Sequence, residues 1–87
     1  MRVKDIRVLR RLEDKQAILE VILEDEGEEY RFVGDAWELL DENRFIEILN
    51  HWKYTVIPKR RKIARMSDEE IKGEIEKIKR KFKDIEL

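Results

Sequence analysis

Apolar and polar side chains alternate along the first third of the chain, and this alternation constrains the fold more than any other feature. The even positions Ile6, Val8 and Leu12 are apolar, and so are the odd positions of the segment 17–23. A period of two residues is the period of a β-strand, whose successive side chains point to opposite faces. The pattern therefore predicts two strands, each with one apolar face.

A tight turn at Asp14-Lys15 is predicted to fold these two strands into a hairpin. The turn would place the following residues opposite each other: Leu12 and Ala17, Val8 and Val21, Ile6 and Leu23. All six would then share one face. A second interpretation stays open for the segment 17–25, because a helix capped by Asp14 and ended by Gly27 would bury the same short apolar run.

A second turn at Glu26-Gly27 predicts a third antiparallel strand. It would extend the same apolar face by two pairs: Leu23 with Tyr30 and Val21 with Phe32. Gly27 suits this turn because glycine adopts positive φ without steric cost. The three strands would form a meander.

The opposite face of this sheet mixes charges with aliphatic side chains. Arg7 would lie diagonal to both Glu20 and Glu24, which predicts a cross-strand lattice of ion pairs. Four aliphatic residues interrupt the lattice: Leu9, Ile18, Ile22 and Val33. They are a candidate contact surface for a partner. The alternative is that a helix or the C-terminal tail covers them.

After Gly34 the period changes from two residues to that of a helix. Asp35 followed by Glu38 forms a capping-box pattern, which predicts a helix start. Its apolar stripe, formed by Trp37 and Leu40, is interrupted near Asp41 and resumes at four positions: Phe45, Ile48, Leu49 and Trp52. The segment 35–52 is therefore one kinked helix or two helices.

Residues 54–57 read as extended, and Pro58 limits them to a short edge strand because it lacks an N–H donor. Ser67 is predicted to cap a last helix, with Glu70 at its third position. The apolar stripe of that helix is formed by Ile71, Ile75, Ile78, Phe82 and Ile85. We expect this stripe to pack on the apolar face of the sheet; pairing with a symmetry mate, giving a twofold dimer, is the alternative.

Charge reverses sign halfway along the chain. The segment 20–47 holds eleven acidic residues and two basic ones, whereas the segment 48–65 holds six Lys or Arg and no Asp or Glu. The net charge of the chain is only −1, so the reversal is internal polarity and not an overall basic character. Charged residues make up 47% of the chain, which is typical of proteins that work at high temperature.

Composition also limits the class of protein. A chain of 87 residues is predicted to form one small α+β domain over residues 1–87, with a basic connector at 58–66. The absence of Cys excludes disulfides and sulfur-based zinc sites. We expect a cytoplasmic protein with no role at a membrane, because the sequence has neither a long apolar run nor the apolar region of a signal peptide.

Catalysis is not expected, because the residues that carry it are scarce. The chain has a single Ser, at Ser67, and one Thr and one His, at Thr55 and His51, with no third group to complete a catalytic set. The three Gly are isolated from one another, so no phosphate-binding loop is present. We therefore expect neither enzymatic activity nor a metal or cofactor.

The basic segment is the best candidate for a binding function. Five cations lie in it, namely Lys59, Arg60, Arg61, Lys62 and Arg65, and the aromatic ring of Tyr54 precedes them. Such groups can neutralise backbone phosphates and stack on unpaired bases, which predicts a small module that binds RNA or single-stranded nucleic acid. The alternative is a protein-interaction or homodimerisation module, in which the same cations contact an acidic surface of this chain or of a partner protein.

Overall fold

Three antiparallel strands form a sheet in the order β1-β2-β3, as the alternation predicts. In the computed structural model, which describes residues 1–83, the strands are β1 (Arg2–Arg11), β2 (Ala17–Asp25) and β3 (Glu28–Asp35). Helices follow the sheet, so the α+β class is confirmed. The segment 17–25 is a strand and not a helix, because it supplies the central strand, which is hydrogen-bonded on both sides.

The hairpin between β2 and β3 has the predicted register. Leu23 pairs with Tyr30, and Val21 pairs with Phe32. Glu26 and Gly27 have φ angles of 51° and 78°, so both central residues of the turn lie in the left-handed region. Two consecutive residues with positive φ give a turn whose twist matches that of the flanking strands.

The predicted register between β1 and β2 is wrong by two residues. Ile6 pairs with Val21 and not with Leu23, and Val8 pairs with Leu19 and not with Val21. One residue of the difference arises at the turn, because Ala17 pairs with Arg11 and not with Leu12. A further irregularity lies between Val8 and Arg10, where one extra residue enters β1. The two one-residue displacements add to an even number, so Ile6 and Val8 keep the predicted apolar face.

The first turn is wider than a two-residue turn. Leu12 leaves the strand, donates its N–H to the carbonyl of Gln16 at 2.8 Å and accepts from Lys15 at 2.9 Å. Lys15 has a φ of 69°, and the side chain of Asp14 accepts a hydrogen bond from the Gln16 N–H at 3.1 Å. The hydrogen bond of the Asp14 side chain therefore helps to set the length of the loop, which the alternation of the strands does not determine.

The contacts of the chain fall into two units, Met1–Ile57 and Pro58–Leu87, and each is described by itself. The prediction of one domain stays a prediction. In the first unit, one face of the sheet packs against helical residues to form the core, in which the rings of Phe32 and Trp52 stack with centroids 4.9 Å apart. The buried core residues are Ala17, Leu19, Val21, Leu23, Tyr30, Leu39, Trp52 and Ile57.

Two helices, α1 (Ala36–Leu39) and α2 (Glu42–His51), follow β3. The break between them is at Asp41, whose side chain accepts a hydrogen bond from the Arg44 N–H at 3.0 Å. This N-cap satisfies a donor at the start of α2 and resolves the region into two helices.

The predicted capping box at the start of α1 is wrong. Within the part of the chain that the structure describes, the Asp35 side chain accepts no cap hydrogen bond, and the Glu38 side chain pairs with Arg44 at 2.7 Å and not with the Asp35 backbone. The predicted stripe of α1 is wrong as well: Trp37 and Leu40 are 71% and 72% exposed, and Leu39 is the buried residue. A helix of four residues is too short for a periodic stripe to indicate its buried side.

Residues 52–57 are helical, so the predicted extended segment is wrong. A π-helical turn spans Trp52–Val56, and the Ile57 N–H donates to the carbonyl of Trp52. In an α-helix, five residues advance by about 140° beyond a full turn, which would separate these two side chains. The wider π turn keeps both on one side, and both are buried.

The second unit contains α3 (Ile57–Ala64, of which Pro58 onwards belongs to this unit) and α4 (Asp68–Phe82). Ser67 caps α4 as predicted, because its Oγ accepts from the Glu70 N–H at 3.2 Å and Glu70 accepts from the Ser67 N–H at 3.4 Å. Within residues 1–83, no helix is long and apolar enough to cross a membrane. The packing of α4 on the sheet stays a prediction, and the predicted stripe residue Ile85 lies outside the described residues.

Candidate nucleic-acid interface

The predicted basic connector is mostly helix. Its cations are arranged on α3 and on the turn that follows, which is closed by hydrogen bonds from Arg65 N to Lys62 O at 3.2 Å and from Met66 N to Ile63 O at 3.0 Å. Pro58 has no N–H to donate, and it directly follows the π-helical turn Trp52–Val56, where the backbone hydrogen bonds already depart from the α-helical pattern. A helix holds these side chains at fixed spacings, which an extended connector would not.

Three of the five cations are exposed and hold no partner among residues 1–83. Lys59, Lys62 and Arg65 make neither an ion pair nor a side-chain hydrogen bond within that part of the chain. Their spacing of three residues places them along one side of the helical segment. The other two, Arg60 and Arg61, each already take part in an interaction within the protein.

A groove lies beside these cations. It has a volume of about 480 Å³ and is lined by Pro58, Arg61, Lys62, Arg65, Met66 and Glu70. Glu70 is the one carboxylate in the lining, and it is hydrogen-bonded to the backbone N–H and hydroxyl of Ser67. The groove is therefore a concave surface with a basic wall, of a kind that suits an anionic group.

Tyr54 belongs to the first unit, in the π turn. Its ring is exposed, and the Lys53 ammonium lies 5.2 Å from the ring centroid. An exposed aromatic ring beside a cation is chemically suited to stacking on a base. Trp52, which the sequence places in an apolar helical stripe, is buried against Phe32 and so is not open to stacking on a base.

The four aliphatic residues predicted as a contact surface differ in their exposure. Leu9 and Val33 are exposed, Ile18 is half-buried and Ile22 is buried. Ile22 lies on the central strand, where Asp5 and Arg31 flank it on the two neighbouring strands. Because a long charged side chain covers apolar neighbours with its methylene stem, Arg31 can shield Ile22 on the side of β3. Only the outer members of the set are therefore open to a partner.

Ion pairs occupy the charged face of the sheet, but the predicted diagonal placement of Arg7 is wrong, because the two-residue change of register puts Arg7 directly opposite Glu20 and leaves Glu24 to pair with Arg2. The Glu20 carboxylate forms ion pairs with Arg7 at 2.7 Å and with Arg31 at 3.5 Å. Arg31 forms a further ion pair with Glu29 at 3.6 Å. Lys4 binds the same Glu29 from the other edge strand, and its hydrogen bond and charge lower the pKa of Glu29. We call this set of five residues, Lys4, Arg7, Glu20, Glu29 and Arg31, the sheet lattice.

The residue types that could act in catalysis, Ser67, His51 and Thr55, have separate places in the structure. Ser67 is the cap of α4, His51 is exposed at the end of α2, and Thr55 is half-buried in the π turn. No group of three or more His, Cys, Asp or Glu side chains in the described ranges is arranged to hold a metal ion.

The sequence reasoning missed the helical state of the basic segment and the groove that Met66 helps to line. A signal for the helix was present, because residues 59–65 contain no Gly, Pro or Asn and consist mainly of Lys and Arg, which favour helices. Comparisons of the chain with protein-family models, with curated proteins and with solved structures found no match.

Proposed function

We propose that this protein is a non-enzymatic binding module whose second unit contacts the phosphates of RNA or single-stranded DNA through Lys59, Lys62 and Arg65. The observation that carries the proposal is that these three cations are exposed along α3 and the turn that follows it, without an internal partner in the described chain. Cations in that state can neutralise phosphates and so release the counterions condensed on a nucleic acid, and this release drives association.

Single strands fit better than a duplex read by sequence. Reading a mixed sequence in the major groove uses Asn or Gln for adenine as well as Arg or Lys for guanine, and α3 carries only Arg and Lys. Lys and Arg contacts to phosphates position a nucleic acid without reading it. Tyr54 is a separate candidate for base stacking, and the phosphate contacts are proposed without it.

The experiment is a salt titration of binding. Anisotropy of a labelled single-stranded RNA should show that affinity falls about twentyfold between 50 and 200 mM salt if three phosphates are neutralised. The triple variant K59A/K62A/R65A should lose most of the affinity and most of the salt dependence. Binding that is absent at 50 mM salt would reject the proposal.

A control variant distinguishes binding at a specific site on α3 from a general effect of the protein's net charge. The variant K72A/K77A/K79A also removes three cations, but from side chains that already lie near carboxylates of α4 at 3.5–3.7 Å. We expect it to bind RNA within a few-fold of the unchanged protein. An equal loss in both variants would mean that net charge, and not the side of α3, governs binding.

The second candidate function is protein interaction, with an acidic protein surface or a second copy as the partner. The observation in its favour is the exposure of apolar residues on α4, of which Ile75 and Ile78 are the central pair. Exposed aliphatic residues in a row mark contact surfaces more often than isolated ones do.

A further inference from the structure

The apolar stripe of α4 is open to solvent in the described chain. Ile75, Ile78 and Phe82 are exposed, and Ile71 is half-buried. Ile71, Ile75 and Ile78 line one side of a mainly apolar groove of about 510 Å³, and Ile63 and Met66 line the other. Lys59, Lys62 and Glu74 complete the lining, so the groove borders two of the cations proposed to contact phosphates. An open apolar groove of this kind has the shape and chemistry that receive the apolar face of an amphipathic helix.

We propose that the occupant is α4 of a second copy of this chain, packed antiparallel about a twofold axis. The four stripe residues within α4 are separated by four, three and four positions, so the order of these spacings is the same in both directions. In an antiparallel pair, Ile71 therefore meets the partner's Phe82, and Ile75 meets the partner's Ile78. Every apolar layer is filled by the same four residues of each chain.

Charge along α4 favours this direction. The first half of the helix is acidic, with Asp68, Glu69, Glu70, Glu74 and Glu76 against Lys72, and the second half is basic, with Lys77, Lys79, Arg80, Lys81 and Lys83. An antiparallel pair places each acidic half against the partner's basic half, whereas a parallel pair places like charges together.

The two flanks of the pair differ in charge. On one flank, Glu74 faces the partner's Lys81, which is an attractive pair that occurs twice by symmetry. On the other flank, Lys72 faces the partner's Lys79, but these lysines lie 3.7 Å from the carboxylates of Glu69 and Glu76 on their own helices. Because those carboxylates offset the like charges, the attractive flank and the opposed halves decide the orientation.

The stripe of α4 is too short to hold two helices together alone, since a stable two-stranded coiled coil needs about three to four heptads. Each copy also contributes α3, whose Ile63 lines the same groove. Two helices from each chain give a four-helix arrangement with a wider apolar core. The interface therefore consists of a helical pair from each chain.

The first experiment measures mass in solution. Sedimentation equilibrium of the full chain should show a dimer, and I75D should raise the dimer dissociation constant by at least about a hundredfold, because the substitution buries an unpaired carboxylate twice. The matched control is I46D, which introduces the same charge at an Ile on α2 that is 55% exposed, compared with 44% for Ile75. Circular dichroism of both variants checks that helices are retained. A chain that is monomeric at all concentrations overturns the proposal, whether another part of the chain or a different protein then covers the stripe.

The second experiment tests whether the two α4 helices pack antiparallel or parallel, and its substitutions leave the core of the sheet unchanged. The chain has no Cys, so single cysteines report one contact each. A mixture of I71C and F82C chains should form the mixed disulfide, whereas neither alone should cross-link, because eleven residues of helix separate the two positions by about 16 Å. Disulfides within each single variant, without the mixed product, would show a parallel pair and overturn the assignment.

Discussion

The sheet lattice and α3 are both rich in charged side chains, but the charges of the lattice form ion pairs and those of Lys59 and Lys62 on α3 do not. On the sheet, Glu20 is shared by Arg7 and Arg31, and Glu29 by Lys4 and Arg31, so each charge has a neighbour of opposite sign. On α3, Lys59 and Lys62 have no such neighbour in the described chain.

The difference follows from how each element is built. Cross-strand pairing brings residues that are distant in sequence directly opposite each other, so acidic residues of β2 can meet basic residues of β1 and β3. A single helix pairs only residues three or four apart. Because residues 48–65 contain no Asp or Glu, α3 cannot neutralise its own cations. The sheet lattice therefore pairs its charges within the fold, whereas Lys59 and Lys62 of α3 have no partner of opposite charge in residues 1–83.

The strongest test of this comparison removes one central charge from each region. Glu20 has a side chain that is only 13% exposed, and E20Q leaves two guanidinium groups without their shared carboxylate. We expect E20Q to lower the free energy of unfolding by about 1–2 kcal/mol, which corresponds to a drop of roughly 4–16 °C in Tm. Thermal denaturation followed by circular dichroism measures it.

The matching change on α3 is K62Q, which also replaces one charge by an amide. We expect its free energy of unfolding to stay within about 0.5 kcal/mol of the unchanged protein, since no internal ion pair is lost. Equal losses for E20Q and K62Q would contradict the comparison, because Lys62 would then be part of the stabilising structure.

The sheet could be predicted from the sequence because periodicity and turn chemistry agree there. Gly27 indicated its own turn and fixed the register of β2 with β3. The register of β1 could not be predicted, because the extra residue near Leu9 and the loop bonds of Asp14 leave no trace in a period-two pattern. A bulge changes which residues pair but not which residue types alternate.

The candidate site was predicted in composition but not in conformation. The charge reversal located the cations of α3, yet Pro58 favoured an extended segment before it. The helix forms there because Trp52 and Ile57 both bury in the core, and a π turn is the local geometry that permits this. Tertiary burial decided a segment whose local signals pointed elsewhere.

The smallest effect concerns the edge of the sheet lattice, at Glu29. Lys4 lowers the pKa of Glu29 below its ordinary value of 4.5, chiefly by a hydrogen bond and by its charge. A carboxyl whose folded pKa is lowered stabilises the fold above its unfolded pKa, and this contribution is lost as pH falls through the folded value. We therefore expect K4M to lower Tm slightly at pH 6 and not at all at strongly acidic pH, where Glu29 is protonated in both states.

Carboxyl-carbon NMR should show the Glu29 pKa rising toward 4.5 in K4M and unchanged in K62M, which removes a cation that has no partner in residues 1–83. A Glu29 titration that is the same in all three proteins would show that the lattice pair at this edge does not form in solution, and that the sheet and α3 differ less than their geometry indicates.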